Sequence, residues 1–382
     1  MVYFPNLRFP GFDEEWENKK LGEIATFSKG KGISKNEIVD NGETECIRYG
    51  ELYTFYEEVI SQIQSKTNTD ISSLVLSEAN DVIIPASGET QIDIATASCV
   101  LKSGVALGGD LNIIKTKNNG VFLSYYLNSK KKLEIAKLSQ GISVVHLYSS
   151  QLALLNLKLP QFEEQKKLAN FLSLLNSRIQ TQKKIISQLK SQMSNLKDLI
   201  FEQQLRFKND KENEFPDWKG SKLEDICEKK SSNISANKIE DNVGNYPIYG
   251  ATGILKSIDF YEVENDYVSI IKDGAGVGRL IYCKGKSSVL GTLDIIQSKN
   301  VNLYFIFLLL SRIDFKKYIT GSTIPHIYFK DYKKENFQIP SIKEQEKIAN
   351  FFKLLDDKIN TESSLLIQYE NQKKYLLQNL FV

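Results

Sequence analysis

The chain has 382 residues, 41% hydrophobic and 25% charged, with 49 Lys and Arg against 47 Asp and Glu for a net charge of +2. That length leaves room for two or three domains, and the near balance of charge, with no strongly basic segment, means charge alone does not identify a nucleic-acid binder. The longest apolar run, residues 303–310, is far shorter than the ~20 residues a bilayer span needs, and the charged N-terminus lacks the apolar core of a secretory leader, so a cytoplasmic location is expected.

Residues 7–24 read L-R-F-P-G-F-D-E-E-W-E-N-K-K-L-G-E-I, and an echo returns at 205–226 as L-R-F-K-N-D-K-E-N-E-F-P-D-W-K-G-S-K-L-E-D-I. From Trp16 and Trp218 onward the two align at an offset of 202. In the region that follows, residues 45–53, 81–85 and 111–115 are predicted strands, 87–90 a turn, and 121–138 a helix. Cys46, Cys99, Cys227 and Cys283 are scattered, form no C-x-x-C pair and read as reduced structural thiols. With only His146 and His326 in the chain, no zinc site is expected.

A second repeat begins at Leu159. L-P-Q-F-E-E-Q-K-K-L-A-N-F-L aligns without a gap, at an offset of 180, with I-P-S-I-K-E-Q-E-K-I-A-N-F-F from Ile339. Beyond each start, steps of four and three alternate through Leu168, Leu172, Leu175, Ile179, Gln182, Ile186, Leu189, Met193, Leu196 and Ile200. In the second copy they run through Ile348, Phe352, Leu355, Ile359, Glu362, Leu366, Tyr369, Lys373, Leu376 and Leu380. Nine of ten and eight of ten of these are apolar, the 3.5-residue repeat of a coiled-coil seam. Gln182 and Glu362 take equivalent places, either as a register device or where the seam opens. Each helix is predicted to start after a proline, and Ser341 with Glu344 has the form of a capping box. A helix of about 44 residues would be roughly 65 Å long. Two helices with apolar stripes are expected to pack antiparallel, giving a rod with a globular domain at each end.

The second region repeats the order of the first, with predicted strands at 246–249, 267–272, 280–283 and 291–297 and a helix at 303–319. The repeated offsets make the whole chain a tandem duplication with divergent inserts. Asp273-Gly274-Ala275-Gly276-Val277-Gly278 is followed by a strand rather than a helix, so it reads as a glycine hairpin and not a nucleotide loop. Pro216-Asp217 with Glu228-Lys229-Lys230 has the outline of a metal nuclease, but the first pair belongs to the domain opening and the counterpart of Glu228 is Thr26. Asn245-Tyr246-Pro247-Ile248-Tyr249 only caricatures the loop that holds a flipped base for methylation. His146 and His326 share the 180 offset in G-x-x-x-x-H-L-Y and G-x-x-x-x-H-I-Y, which favours a shared scaffold role over contact with two different bases.

The P-x-x-x-E-Q helix starts, the R-F-P…W opening and the two divergent inserts resemble the specificity subunits of type I restriction-modification systems, over essentially the full chain. The resemblance implies a mixed α/β (α+β) fold. Target-recognition domains at 1–158 and 206–338 would be joined by two long antiparallel helices at 159–205 and 339–382, as a pseudo-twofold duplication. It further implies a non-catalytic subunit that reads the two halves of an asymmetric site on double-stranded DNA, with the coiled coil setting the unread spacer. Two methyltransferase subunits would dock on it, and restriction subunits would join through that core. No cofactor is implied on this chain, with AdoMet, ATP and Mg²⁺ on the partner subunits. A two-domain coiled-coil scaffold that binds proteins, without DNA specificity, is the reading left open beside it.

On that reading the candidate DNA contacts are Lys29, Lys31, Lys35, Arg48, Ser87, Glu89 and Thr90 in the first domain, and Lys229, Lys230, Lys238, Lys272 and Arg279 in the second. Lysines among glycines, serines and asparagines suit phosphate contact, and Arg279 beside the glycine hairpin suits guanine.

Overall fold

A computed structural model describes residues 4–141 and 144–382. The first three residues of the predicted first domain, and residues 142 and 143 between Gly141 and His146, lie outside the described residues. The chain forms two compact units: one runs through Lys184 and resumes at Ser364–Val382, and the other is Ile185–Ser363.

In the first unit a five-stranded sheet is built from β1 (Ala25–Lys29), β2 (Val59–Ile60), β3 (Asp81–Pro85), β4 (Ser98–Val100) and β5 (Leu111–Thr116), in the order β1-β5-β3-β4-β2. All neighbours are antiparallel except β4 and β2. Helix α1 (Gly120–Tyr126) covers it, with Phe122 and Leu123 in one apolar core with Val82, Ile84 and Ile114. The second unit repeats the plan with β6 (Cys227–Ser231), β7 (Tyr267–Ile271), β8 (Leu280–Cys283) and β9 (Leu293–Ser298) in the order β6-β9-β7-β8, all antiparallel, under α3 (Leu303–Leu310).

The long helices are α2 (Phe162–Phe201) and α4 (Ile342–Asn379), and each contributes to both units. In the first unit they run antiparallel: Lys373 Nζ donates to Asn176 Oδ1 at 2.9 Å and the Arg178 guanidinium lies 4.6 Å over the Tyr369 ring, while Leu168 and Leu172 share a core with Leu380. In the second, Ile200 shares a core with Ile348 and Phe352. Every seam position named from the sequence is buried or half-buried, Gln182 and Glu362 included.

Each unit is also closed by the end of a long helix from the other copy. Trp16 packs edge-on against Phe122 and Phe381, and Trp218 against Phe305 and Phe201. Phe201 and Phe381 stand 180 residues apart, so the tail of each repeat finishes the core of its neighbour.

Several local expectations need correction. Helix α2 stops at Phe201, short of residue 205, because Gln203 turns to φ 57° and the backbone amides of Gln204 and Leu205 fold back to Leu199 O at 2.9 and 3.1 Å. Leu159 and Ile339 end strands rather than begin helices: Asn156–Leu159 pairs antiparallel with Glu17–Lys20, and Asn336–Ile339 with Lys219–Lys222. The strand expected at 45–53 is Thr44–Ile47, then a 3₁₀ turn at Tyr49–Leu52 whose start is capped by the Glu51 carboxylate on Arg48 N, 3.2 Å. The helix expected at 303–319 ends at Leu310, and Asp314 caps a separate 3₁₀ turn by accepting from Lys316 N at 3.3 Å. The run 121–138 is helical throughout but includes a π-helical stretch, Leu127–Lys131. Strand Gly253–Ile258, paired with Tyr246–Gly250, was not foreseen.

The proposed capping box does not form: Ser341 Oγ is buried without a hydrogen-bond partner, and Glu344 turns instead to Arg206. The E-Q repeat has another job. Arg8 Nε and Nη2 donate to the two carboxylate oxygens of Glu164 at 2.8 and 2.7 Å, and Arg206 does the same to Glu344 at 3.2 and 2.9 Å. Each arginine also donates to carbonyls of its own domain opening, Arg8 to Glu14 O and Arg206 to Pro216 O. Gln165 Nε2 donates to Pro160 O at 2.9 Å and Gln345 Nε2 to Pro340 O at 2.9 Å. Their Oε1 atoms accept from the backbone of Asn119 and Asn302, the residues whose side chains cap α1 and α3. Both carboxylates are buried, and each raises the pKa of its arginine through the side-chain hydrogen bond.

Candidate nucleic-acid interface

The first unit carries an open groove of about 750 Å³ beside the end of its sheet. It forms because two backbones cross at glycines: a Cβ on Gly30 would stand 2.0 Å from Gly108 O, so only glycine lets the segment after β1 lie on residues 107–110. Lys31 N donates to Leu107 O at 2.9 Å and Gly109 N to Gly32 O at 2.9 Å, which fixes the crossing.

Three predicted contacts, Lys35, Arg48 and Glu89, line this groove together. Arg48 is anchored there by Glu51, with Nε 3.1 Å from Oε1 of a carboxylate that is itself buried and also accepts from Ser65 Oγ at 2.8 Å. Lys29 and Lys31 are exposed on the neighbouring strand end. Ser87 and Thr90 are engaged elsewhere. Ser87 is buried and sits opposite His146 in a two-residue ladder, and Thr90 Oγ1 accepts from Asp93 N at 3.1 Å, at the start of a short helix. Sequence reasoning missed Tyr49, Tyr53 and Phe55, which also line the groove and could stack on bases. The signal available is the aromatic density between residues 49 and 56, of which 49–53 fall in the predicted strand 45–53.

In the second unit Lys229 and Lys272 converge on Asp294, at 3.6 and 3.4 Å. They come from β6 and from the residue after β7, and Asp294 lies on β9 between them, almost fully buried. Ser231 Oγ donates to the same Oδ1 at 3.0 Å. Lys230 pairs with Glu228 at 3.7 Å at an exposed position, and Lys238 lies apart in the 3₁₀ turn Ala236–Ile239. The residues 273–278 form a tight hairpin between β7 and β8, with Gly274, Gly276 and Gly278 all at positive φ. Arg279 is exposed at its end and donates from Nη1 to Ala251 O at 3.1 Å.

The histidines occupy matching loops. Gln140 and His146 exchange backbone hydrogen bonds at 2.9 and 2.7 Å, Thr320 and His326 at 2.8 Å each, and each ring stacks on the tyrosine two residues later. His326 differs in holding Asp273, Nδ1 to Oδ1 at 2.7 Å. All four cysteines are buried, and desolvation pushes their thiols up, to about 11 for Cys46 and about 12 for the others. Among the described residues no helix is long and apolar enough to cross a membrane.

The same strand positions hold different side chains in the two units. In the first, Lys29 on β1 faces Asn112 on β5; in the second, Ser231 on β6 faces Asp294 on β9. Asn112 is buried, with Nδ2 donating to Leu147 O at 2.9 Å, so an amide fills the place where the second unit sets a carboxylate between two lysines.

The family described as the type I restriction modification DNA specificity domain matches residues 13–191 and again 216–371. The type I restriction enzyme MjaVIII specificity subunit of Methanocaldococcus jannaschii is 26% identical over 416 residues, which cover 98% of this chain and 93% of that protein. A putative type I specificity subunit of Mycoplasma pneumoniae is 28% identical over 148 residues, 35% of this chain and 48% of the relative. Among solved structures, the S subunit of a type I restriction-modification system from M. genitalium matches over 99% of both chains with a TM-score of 0.74 at 17% identity. That likeness is one of fold.

Proposed function

The chain belongs to the type I restriction-modification DNA specificity family, whose domain it carries twice, and from that premise we infer that it is the non-catalytic subunit that selects the DNA site for a type I restriction-modification complex. The observation that carries the reading is one scaffold built twice with different chemistry at equivalent positions, Lys29 and Asn112 against Ser231 and Asp294. One geometry with two surfaces suits a bipartite, asymmetric site. The domains at 1–158 and 206–338 each read one half, and the helices at 159–205 and 339–382 set the spacer between the halves.

In the first domain Lys35, Arg48 and the groove aromatics face the duplex, with Lys29 and Lys31 on phosphates. In the second, Lys229 and Lys272 hold the backbone and Arg279 reads a base. The near-neutral charge fits a division of labour in which two methyltransferase subunits, docked on the helices, supply much of the phosphate contact and counterion release. Restriction subunits join through that core. AdoMet, ATP and Mg²⁺ belong to these partners and not to this chain.

The test is selection from random-sequence DNA pools by the chain together with its methyltransferase partner. A bipartite motif with a fixed gap is expected. Enrichment of no motif would favour a protein-binding scaffold. In the same selection Arg279→Ala should relax preference at one position of one half-site only, worth roughly 1 to 3 kcal/mol. A uniform loss across all sequences would make Arg279 a phosphate contact instead.

A further inference from the structure

We propose that the Arg8–Glu164 and Arg206–Glu344 pairs are positioning devices that fix the angle between each recognition domain and its long helix, and so hold the spacer of the DNA site to one length. The proposal rests on the reading that the chain selects a bipartite site.

Each domain passes into the helix that follows it through one stretch of chain, a strand ending at Leu159 or Ile339, then Pro160 or Pro340, then the helix. A single crossing strand is a hinge unless something spans it. The apolar core does, through Leu168 and Leu172 or Ile348 and Phe352, and beside it two directional polar contacts do in both units. Gln165 and Gln345 reach back to the proline carbonyl and across to the backbone at the cap of α1 or α3. Arg8 and Arg206 grip the helix carboxylate with one edge and the carbonyls of the domain opening with Nη2.

The chemistry of the pair is directional. A planar guanidinium held by two parallel bonds fixes rotation as well as distance, which a lysine or an apolar contact does not. Stability alone is a poor reason for it, since well-packed apolar residues often replace a buried ion pair without loss. Yet the pair stands in both units, while the domain interiors between the repeated segments share little sequence. Small angles also matter at this scale. Tilting a domain about 30 Å across by roughly 6° moves its far side by about 3 Å, close to the 3.4 Å rise of one base pair.

The experiment presents the full chain with its methyltransferase partner to a library in which both half-sites are fixed and the gap varies by single base pairs. The wild-type complex is expected to prefer one gap by about tenfold or more over its neighbours. With Arg8→Met and Glu164→Leu together, both half-sites should remain readable while that preference falls to about threefold or less. Arg8→Lys keeps the opposite charge and loses the fork, and should broaden the gap preference too. It decides the matter if the apolar pair fails to fold. A folded Arg8→Lys complex that keeps the wild-type gap preference overturns the proposal. If the wild-type complex itself shows no gap preference, the bipartite reading fails first and takes the proposal with it.

Discussion

Excising one heptad from each long helix, residues 183–189 together with 363–369, is expected to shorten the preferred gap in the recognised DNA by about 3 base pairs, since seven residues span about 10 Å of helix and a base pair rises 3.4 Å. Seven residues is the right unit to remove because it turns an α-helix by only ~20° from a whole number of turns, so the apolar stripe on either side of the cut stays in line. The seam positions flanking the cuts, Gln182 and Met193 in one helix and Glu362 and Lys373 in the other, are buried or half-buried and would be brought together as neighbours in one continuous seam. DNA does not share that period. Three base pairs rotate the second half-site by roughly 100°, at about 10.5 base pairs per turn, so weaker binding is expected along with the new gap. Selection from a gap-varied library reads both effects. Retention of the original gap by a folded deletion variant would rule out the helices as the ruler.

Arg206→Ala is expected to destabilise the second unit by about 3 to 5 kcal/mol, because it strands the fully buried Glu344 carboxylate without its counter-charge. The same change removes the bond from Arg206 Nη2 to Pro216 O, 2.8 Å, and so frees the segment that leads to Trp218. In a unit of this size the loss corresponds to a fall on the order of 10 °C in its melting transition. Arg206→Met with Glu344→Leu should recover most of that loss, since no charge is then left buried. Calorimetry on the three proteins separates the cases. A single variant that melts with the wild type would mean that water reaches Glu344 once the arginine is gone.

The sequence by itself determined the duplication, the two long helices and the family. These are legible because a seam repeats along the chain every seven residues and because the motifs L-P-Q-F-E-E-Q and I-P-S-I-K-E-Q stand at a constant offset, so local pattern and self-comparison suffice. Glu164 and Glu344 lie inside those motifs, and Arg8 and Arg206 inside the repeated L-R-F openings, but nothing in a linear string says that Arg8 meets Glu164 across 156 residues, and the capping-box reading of Ser341 and Glu344 gave the carboxylate the wrong partner. Only the tertiary structure decided that, and it decided the candidate interface as well. The groove that gathers Lys35, Arg48 and Glu89 exists because Gly30 and Gly108 let distant backbones cross, and Lys229 and Lys272 meet only because β9 carries Asp294 between their strands. Secondary structure follows periods of two to seven residues, which a chain displays openly; a recognition surface is assembled from contacts far apart in sequence, which appear only once the sheets and helices have packed.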